Sequence, residues 1–375
     1  MPKVTILKYD ILCAQGDLHQ SVEAIKNSTL HTSTKVVSSP DEEIQIPYFS
    51  LKDEVEDTPD AIYKGLQTLL LKTLSSLDEQ QRKESALIIG TSLVDWHVVH
   101  AIKNSVYAYK KTPYSSQKRG IDSYAKQLSK EFGLSDFTMT INTACTSSAN
   151  ALLEGANLIK ASVFNYVVVI GVEIFSTMMS SGFSSMRLLS TSSQKPFDKN
   201  REGLILGEAL SSVLLGKESA PWSLEGGYSN CSSLTITSVS PSGEEYVEVM
   251  QKALEQCNLQ KEQITALKAH ATSTLANDLS EINALSKLFS KDLLFCALKP
   301  YTGHTLGACG TLELALFMAC VDNGFLPKTH NHTESIQEDF SPLLEHKACT
   351  EGIFMLNYFG FGGNNTSLII KKESL

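Results

Sequence analysis

The 375-residue sequence has no apolar run long enough to cross a bilayer: Tyr166–Val172 and Leu314–Val321, the longest, fall far short of the roughly 20 residues a spanning helix needs. Paired cysteines are missing too. The eight cysteines are scattered, with no CxxC spacing and no cluster with histidine, which argues against a metal site or a disulfide framework and reads as reduced thiols. With 11 prolines and 22 glycines the chain cannot be collagen-like or a proline-rich disordered segment, and 42% hydrophobic against 19% charged residues belongs to a globular protein. A basic excess is also absent. Against 32 Lys and Arg stand 41 Asp and Glu, a net of −9, so no overall field exists to hold nucleic acid without sequence preference. The opening MPKVTILKYDILCAQG interrupts its short apolar run at Lys8 and Asp10 and lacks a signal-peptide core, so a cytoplasmic protein is expected.

What the sequence does contain is alternation. Short β-rich runs stand at Ala86–Thr91, Tyr166–Val172, Leu210–Gly216, Ile264–His270, Leu293–Leu298 and Gly352–Phe359; continuous apolar runs such as YVVVIGV suit strands buried on both faces. Between them, helical spacing covers Pro59–Leu77, Ile121–Phe132, Cys145–Val163, Glu244–Cys257, Asn277–Phe289 and Leu306–Asn323. This is an α/β pattern. Two stretches share one plan: from Ile141 a small-residue turn carrying a cysteine leads into a helix and a strand, and from Tyr301 a small-residue turn carrying a histidine leads into a helix. A duplicated fold with a reactive group at each helix start follows.

Three places carry chemistry. Cys145 stands in TACTSSA, where small residues let a helix begin directly at the cysteine; helix N-terminal N–H groups would favour its thiolate and could hold an oxyanion. His270 ends the apolar strand ITALKAH, the kind of strand end at which α/β proteins place their sites, and His304 lies between two glycines in KPYTGHTLGACG just ahead of a helix. FGFGGNN, from Phe359, reads as a tight turn with little steric bulk.

Taken in order, TACTSSA, PFDKNREGLILGEA, KAHATST, the lysine four residues before GHTLGACG, and FGFGGNN resemble the β-ketoacyl synthase family from Asn142 to Ile370. The resemblance implies a thiolase-like fold, a duplicated five-layer αβαβα arrangement of two similar halves, here 1–217 with the nucleophilic cysteine and 218–375 with both histidines, assembled as a homodimer or as a heterodimer with a related ketosynthase. It implies that Cys145 accepts an acyl group and that His270 and His304 polarise a malonyl thioester carbonyl, with Lys299 and Glu313 orienting the site. Phe361 matches a gating aromatic whose backbone N–H joins that of Cys145 in an oxyanion hole. Thr272, Thr274, Phe359 and Gly362 fall where the family binds substrate. The implied reaction is a decarboxylating condensation on acyl carrier protein, in fatty-acid, polyene or polyketide synthesis, without metal or redox cofactor.

Two positions depart from the family pattern. His-Gly-Thr reads His270-Ala271-Thr272, and Gly-Gly-Thr-Asn reads Gly362-Gly363-Asn364-Asn365; a required positive φ at 271 would force a shift of the turn behind His270. Other readings are a chain-length-factor-like partner subunit, which would usually lack the cysteine, and a thiolase, which would carry a second cysteine where this chain has His304. An acidic carrier protein needs a basic docking site; Lys110, Lys111, Lys118 and Arg119 form the densest basic group, with Lys199 and Arg201 behind them. Reversing the charge of Lys118 and Arg119 is expected to raise KM for the carrier protein, a steady-state measurement in which an unchanged KM counts against this docking site.

Overall fold

A computed structural model describes residues 2–38, 43–51, 59–93, 122–231 and 239–373. The basic group at Lys110, Lys111, Lys118 and Arg119, and with it the expected surface loop, lies outside the described residues.

Ten strands form one path through an eleven-stranded sheet. Five come from the first half: β1 (Thr5–Cys13), β2 (Ser85–Gly90), β3 (Thr138–Ile141), β4 (Tyr166–Glu173) and β5 (Ala209–Gly216). The second half supplies β6 (Trp222–Cys231), β7 (Ala266–Lys268), β8 (Phe295–Cys296), β9 (Gly352–Phe359) and β10 (Asn364–Lys372). From its outer edge inward the first half runs β3-β2-β4-β5-β1 and the second β8-β7-β9-β10-β6, the same order of third, second, fourth, fifth and first strand. The strand senses repeat as well. In each half the second strand is parallel to the third and fourth, and the fourth is antiparallel to the fifth. β1 and β6 join the halves through a short antiparallel contact, Thr5 with Ser223 and Ile6 with Trp222.

Helices complete the layers. On one outer face lie α1 (Pro59–Thr73) and α2 (Asp122–Phe132); α3 (Ser147–Lys160) is internal, and α4 (Thr177–Ser185) covers the site. The other outer face carries α5 (Glu244–Gln256) and α6 (Leu275–Leu288), and α7 (Cys309–Asp322) is internal. Both inner helices touch strands of both halves, which makes them the central layer. Composition explains their place. In α7, CGTLELALFMACVD, every residue from Cys309 to Val321 is buried, as befits a helix apolar all round, and α3 buries mainly Ser, Ala and Gly with Leu152 and Ile159.

The expected elements are present with shifted ends. The helix expected from Cys145 starts at Ser147, and the one expected from Leu306 opens with a 3₁₀ turn, Leu306–Ala308, before α7 begins at Cys309. The strands expected over Ile264–His270 and Leu293–Leu298 contract to Ala266–Lys268 and Phe295–Cys296, so His270 lies two residues past its strand.

The N-terminal ends of α3 and α7 meet almost without side chains. A Cβ on Gly310 would stand 2.0 Å from the Ala149 nitrogen, and one on Gly90 would stand 2.3 Å from the Ser148 Cα. Across the same seam the Thr311 N–H donates to Ser148 Oγ at 3.2 Å. Replacing Gly310 by alanine is expected to destabilise the protein by about 2 kcal/mol in urea unfolding, because backbone must move to admit the methyl. Gly182, on α4 with open space around its Cβ position, serves as the control: Gly182→Ala should be neutral or slightly stabilising.

Candidate active site

Cys145, His270 and His304 line one cleft of about 200 Å³, open to solvent and shared with Arg187, Thr272, Thr274, Tyr246, Phe359 and Phe361. The cysteine comes from the first half and the histidines from the second. Each sits beside a non-glycine residue in left-handed backbone conformation: Ala144 (φ 53°) precedes Cys145, Ala271 (φ 51°) follows His270, and Leu306 (φ 42°) lies two residues after His304. Such residues strain the chain by roughly 1–2 kcal/mol each and persist only where surroundings dictate them. The alanine at 271 thus keeps the positive φ; the turn does not shift.

The thiol of Cys145 is buried among Phe183, Leu204, Leu206, Leu306 and Phe361. Sequence reasoning expects a thiolate there. Burial instead pushes the thiol up to about 11, and the backbone N–H groups of Phe361 and of Cys145 itself, with the charge of Lys299, only partly oppose it. The helix begins two residues later, at Ser147. Those two N–H groups are the pair expected as an oxyanion hole. The Phe361 ring packs on Phe183, centroids 5.7 Å apart.

The two imidazoles stand edge to face at 5.3 Å. Both are held well below their ordinary range by burial first and then by Lys299 and Lys268, so both are neutral. Their tautomers follow from their neighbours. Lys299 Nζ donates to His270 Nδ1 at 3.2 Å and to the His270 carbonyl at 2.6 Å. The Leu306 N–H donates to His304 Nδ1 at 3.3 Å, with the buried Cys309 sulfur 3.1 Å from the same nitrogen. With each Nδ1 accepting, the proton of each ring is on Nε2.

Behind the rings lies a cluster of buried charge. Glu313 receives Lys299 on Oε1 at 2.8 Å and Lys268 on Oε2 at 2.5 Å, all three side chains being at most 1% exposed. Burial works against the charge of Glu313, but the lysines overrule it and hold its carboxyl below the usual range; burial is the largest influence on Lys299 and lowers it, but Glu313, Cys309 and Glu281 together leave it raised. A second buried carboxylate fixes the His270 turn: Glu281 accepts the N–H of His270 and of Ala271, each at 2.7 Å. A third, Glu173, accepts the N–H and hydroxyl of Ser92 and the N–H of Gly307, tying the His304 loop to the end of β2.

The remaining expected residues are dispersed as follows. Thr272 and Thr274 line the cleft and share a hydrogen bond of 2.9 Å. Phe359 lines it too, stacked on Tyr246 at 3.7 Å. Gly362 (φ 82°) and Asn364 shape the turn but are not among the lining residues. Lys199 pairs with Glu334 at 2.7 Å, and Arg201 donates to the carbonyls of Thr274 and Leu275 at the cleft rim. Lys268, Glu281, Tyr246, Arg187 and Glu173 are absent from the sequence-level candidates. A lysine inside the apolar strand ITALKAH was a usable signal, since a buried charge needs a partner.

Comparisons with known proteins agree in direction. The model of the β-ketoacyl synthase N-terminal domain matches residues 69–220, and that of its C-terminal domain matches 223–333. A 3-oxoacyl-[acyl-carrier-protein] synthase 2 of Vibrio harveyi is 30% identical over 285 residues, 70% of this chain and 68% of that one. The synthase of the same name from Vibrio cholerae is 29% identical, covering 70% of this chain and 69% of its own. Among solved structures, a ketosynthase in complex with its chain length factor from Xenorhabdus doucetiae superposes with a TM-score of 0.86 over 99% of this chain and 98% of that one, at 23% identity. A β-ketoacyl synthase from Burkholderia phymatum gives 0.86 over the whole of both chains at 22%.

A resting thiol makes a clear prediction. Alkylation of Cys145 by iodoacetamide, followed by peptide mass mapping with exposed Cys231 as internal reference, should rise about tenfold per pH unit from pH 7 to 9 without levelling off. A rate already at its plateau at pH 7 would mean that the thiolate is the resting form.

Proposed function

We propose that this chain, which belongs to the β-ketoacyl synthase family, is an active condensing enzyme that joins an acyl chain held on Cys145 to the two-carbon unit of malonyl-acyl carrier protein. The observation that carries this reading is the pair of neutral imidazoles, both presenting Nε2–H beside one cysteine in one cleft. A chain kept only to pack against a catalytic subunit has no use for that arrangement.

The residues divide the work. In the first step the Cys145 sulfur attacks the acyl thioester, its proton leaving with the carrier thiol, while the N–H groups of Cys145 and Phe361 hold the oxyanion. The malonyl thioester then loses CO₂, and the negative charge arriving on its carbonyl oxygen is met by the two Nε2–H donors. The enolate carbon attacks the acyl carbonyl, the bond to Cys145 breaks, and the sulfur regains a proton. No electrons leave or enter, so the sequence of steps calls for no redox cofactor.

Sign follows from the histidine shifts. A second proton would enter at Nδ1, against the donors Lys299 and the Leu306 N–H that hold each ring in place, so condensation holds as pH falls through 6.5 and fails only where the depressed imidazoles begin to protonate.

Carrier protein is the proposed partner. Arg187 and Arg201 flank the cleft and would meet its acidic surface. The edge strand of the sheet among the described residues, β3, half-buried and only a few residues before Cys145, supports a dimer of two such chains or of related chains. Among the described residues no helix is long and apolar enough to cross a membrane. The cytoplasm, where the cysteines would stay reduced, is the proposed compartment.

The test is intact mass after incubation with an acyl-carrier-protein thioester, then addition of malonyl carrier. Wild type is expected to gain the acyl mass and discharge it as a 3-ketoacyl product; Cys145→Ala should gain nothing. His270→Ala and His304→Ala should load the acyl group yet condense ~10²–10³-fold more slowly. Absence of any adduct over a range of acyl lengths would favour the chain-length-factor-like role.

A further inference from the structure

Lys299 and Glu313 alone would form a neutral buried pair, yet Glu313 holds two lysines. Lys268 donates to Glu313 Oε2 at 2.5 Å and to the Asn357 carbonyl at 2.6 Å, with its nitrogen 3.6 Å from the centroid of the Tyr358 ring, and is wholly buried. Two acceptors and an aromatic face satisfy an ammonium. The residue ends β7, two positions before His270.

We propose that Lys268 is a positioning residue for the decarboxylating step: by occupying the second oxygen of Glu313 it leaves the cluster with an excess positive charge behind both imidazoles and Lys299 free to reach His270 Nδ1. The excess charge acts twice. It disfavours a second proton on either ring, so each Nδ1 keeps accepting and each Nε2–H stays fixed, and it attracts the negative charge that develops between them. The charged and titratable groups around the rings are Lys299, Lys268 and Glu313 behind them, Glu281 on the backbone of His270, Cys309 on His304 Nδ1, and Cys145 and Tyr246 across the cleft. Of these Glu281 is raised to about 7 by burial, and Tyr246, Cys145 and Cys309 are raised as well; burial lowers Lys268 and Glu313 opposes that lowering, so the two lysines held on Glu313 supply the positive charge of the cluster.

The inference rests on the condensing role, and its test separates the two. Lys268→Met and Lys268→Gln remove the charge, the second keeping hydrogen-bond donors in place; Glu313 retains Lys299 in both, so the fold has a partner for its buried carboxylate. Decarboxylation of malonyl carrier is followed against pH, with acyl loading of Cys145 measured alongside. Both variants should load normally, decarboxylate about tenfold more slowly near neutral pH, and show an acid limb moved up by about one pH unit. Lys268→Arg should restore the wild-type limb. An acid limb unmoved in loading-competent variants overturns the role of Lys268. Wild type that loads but never decarboxylates would instead overturn the condensing role itself.

Discussion

The approach of two buried helix ends, with no side chain between Gly310 and the Ala149 backbone, is the constraint on which the rest of the molecule depends. It sets the distance between the halves. Cys145 lies just ahead of one helix and His304 just ahead of the other, so the separation of nucleophile and imidazole is a by-product of backbone packing. Gly307, whose Cβ would stand 2.3 Å from the Ser92 nitrogen, extends the seam, and the Glu173 carboxylate locks it by accepting donors from both sides.

Around that seam the protein accepts unfavourable local terms to obtain a rigid site. Ala144, Ala271 and Leu306 adopt left-handed backbone, and three carboxylates are buried against their preference for water. Glu313 and Glu281 receive lysines or backbone N–H groups on both oxygens and Glu173 receives donors on one, which is why removing one partner would be felt beyond its own contact. Preorganised donors of this kind need no rearrangement when charge appears on the substrate.

Much of this was legible in the sequence. Apolar continuity placed β4, β5 and β9, helical spacing placed α3 and α7, and the turn motifs around Cys145, His270 and His304 fell into one cleft. Local pattern could not give partners distant along the chain. Lys268 meets Glu313 45 residues away and Ser148 meets Thr311 across 163, and neither distance leaves a trace in spacing. The burial of Cys145 was hidden for a related reason: a dipole is readable from helix position, whereas desolvation depends on which apolar side chains close over the sulfur.

The repeated strand order has a consequence for how such proteins diverge. The same β-sheet plan is built twice, and each copy contributes a different reactive group to a shared boundary, so neither copy needs the other's chemistry in order to fold. Loss of the thiol would remove one heavy atom from a pocket rim and leave the strands, the inner helices and the histidine turns in place. A lineage of this architecture can therefore give rise to a silent sibling chain by a single substitution, and the sibling remains a well-formed body.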